Sequence, residues 1–244
     1  MAEHGAAIAV AAALAVVEPT SSGIGGGGFW LLHRAEDGFQ VMVDSREKAP
    51  AAAHRDMYLD EDGAVNRDLA INGPLAGGIP GEVAGFEHIA RQYGRLPLSV
   101  SLQPAIRIAR DGFEVDKKFA RLMGWRVDQI RRWPAAAEAF LIDGEAPPVG
   151  HVIRLPDLAW VLEQVAEHGA AGFYTGPVAE KLVEGVREAG GIWTLEDLAN
   201  YRVVERDPIR TWFGGYELVT APPPSSGGIA IAEILNIIEP FDVN

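Results

Sequence analysis

Gly23-Ile24-Gly25-Gly26-Gly27-Gly28, running directly into Phe29-Trp30-Leu31-Leu32-His33, sets the order of elements from which the fold is read. The run satisfies the letters of the G-x-G-x-x-G dinucleotide fingerprint. That fingerprint needs a strand before it and a helix after it, so that the helix N-terminus meets the pyrophosphate. Here the order is reversed: the alanine-rich run Ala6 to Val17 has helical composition, and the β-prone Phe29 to His33 follows. Close backbone packing is therefore the better reason for four consecutive glycines than nucleotide binding.

Working outward, Phe39-Gln40-Val41-Met42-Val43 reads as a second strand, joined to the first by the polar turn Ala35 to Gly38. It ends in Val43-Asp44-Ser45-Arg46-Glu47-Lys48-Ala49-Pro50. An arginine there offers a fixed fork of donors that matches a carboxylate. Two readings stand side by side for Arg46: a grip on an acidic small molecule, or an ion pair with Glu47 or Asp44. A polar, irregular stretch runs from Arg46 to Gly78. From Pro80 the pattern turns helical, with helices to about Tyr93, over Ser99 to Ala109, Val115 to Arg132, Pro156 to Glu167 and Pro177 to Ala189. Thr194-Leu195-Glu196-Asp197 has capping-box spacing. Tyr216 to Thr220 reads as a strand, and Pro222 to Gly228 turns it into an apolar helix, Ile229 to Ile238. The order is α+β, or layered α/β, and not regular βαβ alternation. Three strands are a small sheet for so many helices.

Bulk numbers narrow the function. The 244 residues are 48% hydrophobic, enough to bury a sizeable core. With 21 basic and 34 acidic residues the formal charge is −13, which disfavours nucleic acid as a partner. Arg126, Arg131 and Arg132 read as a solvated helix face. No cysteine is present, so disulfides, thiolate metal sites and a cysteine nucleophile are excluded. The six histidines are scattered, with no H-E-x-x-H and no carboxylate spacing for a metal. No cofactor is expected. His54-Arg55-Asp56 lacks the other elements of a kinase, and there is no G-x-S-x-G elbow. Ser225-Ser226-Gly227-Gly228, after a strand and before a helix, would offer free amides to an anion; an ordinary strand-to-helix turn with a serine N-cap is the favoured reading. The apolar run near the N-terminus has no Lys or Arg before it and is too short to span a bilayer, so no export or membrane signal is read from it.

Taken in order, the motifs resemble the large-subunit half of the γ-glutamyltranspeptidase (γ-glutamyltransferase) family. Ile8 to Pro19 and Gly23 to Trp30 are similar to its A-V-A-x-x-x-A-L-A-V helix, the proline after it and the glycine-rich turn into a strand. Asp44 to Pro50 matches D-x-R-E-x-A-P, and Arg55-Asp56-Met57-Tyr58 matches R-D-M-[FY]. Gly78 to Phe86 matches G-x-P-G-x-V-A-G-F, and Gln103 to Phe113 matches Q-P-A-x-x-x-A-R-D-G-F. Gly190 to Tyr201 matches G-G-x-x-T-x-E-D-L-A-x-Y, and Pro222 to Ile229 matches P-P-P-S-S-G-G-I.

The resemblance implies one region over 1–244, part of a four-layer αββα N-terminal nucleophile hydrolase sandwich, helix-rich and with incomplete sheets. It implies a self-processing precursor, in which the new N-terminal threonine of a small subunit is the nucleophile and its α-amino group the base. That enzyme class transfers the γ-glutamyl group of glutathione and related compounds to water or to amino-acid or peptide acceptors. Of that machinery only Arg46 maps onto this chain, where the resemblance implies that it binds the donor α-carboxylate; no catalytic residue does. None of the five threonines has the cleavage-site context, so the chain is expected to lack its small subunit and to be inactive alone; the resemblance also implies a further strand and helix ahead of this segment, so it is expected to be N-terminally shortened. A non-catalytic module binding acidic ligands, or a cephalosporin or glutaryl acylase of the same fold, are the alternatives. Family members are often periplasmic or secreted; the sequence itself assigns no compartment.

Overall fold

The computed structural model describes residues 3–241. Its elements are α1 (Glu3–Val17), β1 (Phe29–Arg34), β2 (Phe39–Asp44), α2 (Arg67–Ile71), a 3-10 turn (Pro74–Ala76), α3 (Glu82–Gln92), α4 (Leu98–Asp111), β3 (Phe113–Glu114), α5 (Lys117–Arg131), α6 (Pro134–Phe140), β4 (Val152–Ile153), α7 (Pro156–His168), α8 (Ala171–Tyr174), α9 (Gly176–Glu188), α10 (Leu195–Ala199), β5 (Val204–Arg206), β6 (Ile209–Phe213), β7 (Tyr216–Thr220) and α11 (Gly227–Ile238). The α+β reading holds. The expected helices form within a few residues of their predicted limits.

Alternation between small and branched residues explains the core. In α1, Ile8, Ala12, Ala15 and Val16 are buried, the i, i+4, i+7, i+8 spacing of one helical face. That face packs on α4, whose Leu102, Ala105, Ile106 and Ala109 are buried in turn. The other side of α4 meets α7 through Ala159, Leu162 and Val165. The buried alanines of all three helices are small residues that permit close approach of the backbones. The capping box read from the sequence is present, with Thr194 and Asp197 reciprocally bonded, and the structure adds a second cap, Asp116, which accepts from the Phe119 amide at 2.7 Å.

Against this layer lies an antiparallel sheet in the order β1-β2-β5. Phe29 pairs with Asp44 and Trp30 with Val43, while Asp44 pairs with Val204 and Met42 with Arg206 on the other side. Met42 and Val43 are fully buried because β2 is the central strand and is covered on both faces.

Several details differ from expectation. Seven strands form among the described residues instead of three. Two of the additional ones, β5 and β6, flank Asp207-Pro208, a pair that reads as loop because proline cannot donate to a ladder. β6 and β7 form a hairpin closed by Gly214 and Gly215, both with positive φ (58° and 85°), as a tight hairpin turn requires. The stretch from Arg46 to Gly78 is polar but includes α2 and the 3-10 turn. Ser226 is the residue before α11, yet its side chain makes no cap; the Gly227 amide donates instead to Ser225 Oγ at 3.3 Å. The arginines of α5 are engaged as a solvated face: Arg131 with Asp128 and Glu145, Arg132 with Asp68. On α11, Ile229, Ile231, Ile234 and Ile237 are exposed, as is Trp212 on the neighbouring hairpin. No helix among the described residues is long and apolar enough to cross a membrane.

Candidate functional site

Four motifs far apart in the chain meet around the end of β2. The glycine run lies against the 45–47 backbone: the Gly28 amide donates to the Ser45 carbonyl at 3.3 Å, and the Ser45 amide donates back to Gly28 at 3.0 Å. A Cβ on Gly27 would overlap the Ser45 carbonyl oxygen and lie 2.9 Å from Arg46 Cα. The sequence-level reading of four glycines as a close-packing device is therefore the physical one. The amides of Gly81 and Glu82, opening α3, donate to Gly26 O at 2.8 and 3.1 Å. A Cβ on Gly81 would overlap both Ser45 O and the Tyr201 hydroxyl. Tyr201 closes the arrangement by donating its hydroxyl to Arg46 O at 2.7 Å.

Arg46 itself leaves this rigid base pointing outward. Its side chain is 54% exposed, with Nε 3.3 Å from Glu47 Oε2 and the guanidinium 5.6 Å from the centre of the Phe29 ring. The ion pair with Glu47 that the sequence offered as one reading is present. It is loose, because at 3.3 Å one nitrogen meets one oxygen and the remainder of the fork stays open to an incoming anion. The other reading, a pair with Asp44, takes a different form. Asp44 Oδ1 accepts from the Arg46 backbone amide at 3.0 Å, while Oδ2 accepts from Arg206 Nε at 2.9 Å. The carboxylate thus fixes the arginine's main chain and is neutralised by another cation.

Beneath the turn sits a group the sequence reading did not single out. Glu82 Oε2 lies 3.4 Å from Ser45 Oγ, which also donates to Gly28 O at 3.0 Å. Burial pushes the Glu82 carboxyl up to about 7, opposed by hydrogen bonds from Ser45 and the Trp30 indole and reinforced by the Glu47 charge. Ser45 is fully buried. Tyr174, stacked on Tyr201 with ring centres 5.6 Å apart, donates to Pro80 O at 2.9 Å and so supports the start of α3. In the sequence Glu82 is marked only as one of the two variable positions of the Gly78 to Phe86 motif, two residues after a proline that opens a helix, which does not reveal its burial. The remaining motifs are scaffold. Trp193 donates to Gly77 O at 3.0 Å, Asp197 accepts from the Ala51 amide at 2.8 Å, and Pro222 to Ile229 builds the β7-to-α11 turn.

An apolar cavity of about 710 Å³ lies apart from Arg46, between α7 and α9, lined by Trp160, Val161, Phe173 and Leu182, with Ile24 and Gly25 at its edge. Arg46 instead faces open surface, an arrangement suited to a ligand that a further part of a protein would cover.

Comparison with known proteins bears on the family and the fold. The family profile described as gamma-glutamyltranspeptidase matches residues 4–244. The glutathione hydrolase proenzyme of Escherichia coli K12 is 42% identical over 239 residues, covering 98% of this chain and 41% of that protein. The chain thus spans about two fifths of the length of that curated relative. The crystal structure of Helicobacter pylori γ-glutamyltranspeptidase superposes with a TM-score of 0.96 at 38% identity, over 99% of this chain and 69% of that one. A cephalosporin acylase from Bacillus halodurans gives 0.83 at 31% identity, over 98% of this chain and 45% of that one. The fold is the α+β, helix-rich portion of the N-terminal nucleophile hydrolase sandwich, and the chain belongs to the γ-glutamyltranspeptidase family.

Proposed function

We propose that residues 1–244 form the large-subunit region of an enzyme that transfers the γ-glutamyl group of glutathione and related compounds to water, amino acids or peptides. Arg46 binds the α-carboxylate of the donor. A threonine at the N-terminus of the small subunit, released by cleavage of the same precursor, attacks the γ-carbonyl, its own α-amino group taking the proton. The observation that carries this reading is the contrast within the turn: a backbone clamped by Gly27, Asp44 and Tyr201, bearing a guanidinium that is half exposed and only loosely paired. A fixed base lowers the ordering cost of gripping a carboxylate, and an open fork leaves donors for it. The exposed isoleucines of α11 are the surface that the rest of the precursor covers.

In the processed full-length protein, Arg46→Ala should raise KM for γ-glutamyl donors by about tenfold to a hundredfold, the loss of one or two charge-assisted hydrogen bonds. Arg46→Lys should recover part of that, keeping the charge without the fork. A KM unchanged in both variants removes Arg46 from the donor site. The acylase likeness favours a second reading, an enzyme releasing dicarboxylic side chains from β-lactams, which also present a carboxylate to Arg46. Turnover of glutaryl-cephalosporins in preference to γ-glutamyl donors would select it.

A further inference from the structure

Glu82 places a buried carboxyl beneath the Arg46 turn, with no cation paired to it among the described residues. Its Oε2 touches Ser45 Oγ, the side chain that locks residue 45 to Gly28 O. A Cβ on Gly28 would lie 3.2 Å from Glu82 Oε2, and a Cβ on Gly26 would lie 3.2 Å from Glu47 Oε1. The two carboxyls therefore face the same glycine run, two residues apart, and Phe29, directly after that run, carries the guanidinium of Arg46 over its ring.

We infer that Glu82 is a proton-linked positioning residue for the Arg46 anion site: a carboxylate ligand is held on Arg46 while Glu82 is uncharged, and ionisation of Glu82 weakens that hold. The inference rests on the reading of Arg46 as a carboxylate-binding residue. The charge count at the site explains it. Arg46 is already opposed by Glu47, so with Glu82 neutral the local sum is near zero. With Glu82 ionised, a second negative charge stands behind the turn, and its field reaches the incoming carboxylate through the protein between them and not through water.

The other groups around Glu82 do not supply the compensation. Asp44 on β2 is neutralised by Arg206 of β5. Lys48 is committed to Arg202 O at 2.7 Å and to the Tyr201 ring. Trp30 of β1 is a neutral donor. Burial holds the Tyr174 and Tyr201 hydroxyls far above the usual phenol range, so both stay neutral. Further along α3, Glu87 meets Arg91, and His88 is tied to Glu205 of β5 at 2.7 Å. Burial, which raises the Glu82 carboxyl to about 7, puts its titration in the physiological range.

Reciprocity then fixes two readouts: ionisation weakens the ligand, and the ligand raises the proton affinity of Glu82. The probe is L-glutamate, whose two carboxylates and amine keep their charge between pH 6 and 8.5, as competitive inhibitor of the processed full-length protein. Its inhibition constant should rise about tenfold across that range, a coupling within the ordinary span for linked sites. In Glu82→Gln, which is near-isosteric and keeps partners for Ser45 and Trp30, the rise should fall below about twofold. Calorimetry of the unsubstituted protein at pH 7.5, in two buffers of different ionisation enthalpy, should show net proton uptake on binding. That measurement needs no variant to fold.

An equal pH dependence in Glu82→Gln, or no proton uptake, overturns the role of Glu82. Arg46→Ala separates the two readings. If it binds L-glutamate as tightly as the parent, the Arg46 reading itself fails. If it binds weakly while Glu82→Gln keeps the parental slope, only the present inference falls.

Discussion

Two arginines approach Asp44 and do opposite work. Arg206 reaches it from β5 with Nε and Nη2 at 2.9 and 2.8 Å, onto a carboxylate that is 8% exposed. Arg46 meets the same carboxylate only through its backbone amide, and sends its side chain outward to a looser partner. The difference is one of desolvation. A charge taken out of water must be paired and hydrogen-bonded, so Arg206 is committed to the fold. A charge left half in water gains little from its pair, so Arg46 remains available to a ligand. The same residue type, at one carboxylate, is thus tied into the fold in one case and left open to solvent in the other.

The largest expected effect tests the base that separates them. Gly27→Ala forces its Cβ into the Ser45 carbonyl, a backbone atom that cannot rotate away, and should cost about 3 kcal/mol or more in chemical denaturation. A loss below ~1 kcal/mol would mean that the turn is soft and the comparison rests on a movable frame. Next, Asp44→Ala leaves Arg206 unpaired. The expected loss is roughly 2–3 kcal/mol, less than for a fully buried pair because Arg206 keeps a third of its surface in water.

The pH dependence comes third and has a definite sign. Glu82 is raised from 4.5 to about 7 by burial, so its neutral form favours the fold. That contribution is fully present below about pH 4.5 and is lost as pH rises through about 7. Between pH 5 and 8 the parent should lose up to roughly 2–3 kcal/mol relative to Glu82→Gln. An equal pH slope in both proteins would place Glu82 in water. The smallest effect is the sharpest on the comparison itself: Arg46→Ala should shift stability by no more than about 0.5 kcal/mol. A large shift would put Arg46 in the same class as Arg206.

What the sequence disclosed and what it hid follow from distance along the chain. The α1 stripe, the β1–β2 pair and the Thr194 capping box are local patterns, and each was readable. The Gly214-Gly215 hairpin signal was also local, but β6 was hidden by Asp207-Pro208 before it. Arg46 was legible because an arginine ending a β-prone run in charge and proline is conspicuous, and the ordered motifs then gave it a family context. Arg206 was not, since 162 positions separate it from Asp44. Nor was the elevated Glu82 carboxyl, because burial by β1, the strand end and α8 is a tertiary fact that no window of sequence contains.

One bond in the site has a consequence in time. Tyr201 donates to the carbonyl of Arg46 across 155 positions of chain. During synthesis, at about 5–20 residues per second, that partner leaves the ribosome roughly 8–30 s after Arg46 does. The helices from α1 to α9 are already able to form in that interval, whereas the turn carrying Arg46 lacks its closing contact. The Arg46 turn is thus a late product of folding, finished by a residue made after most of its scaffold.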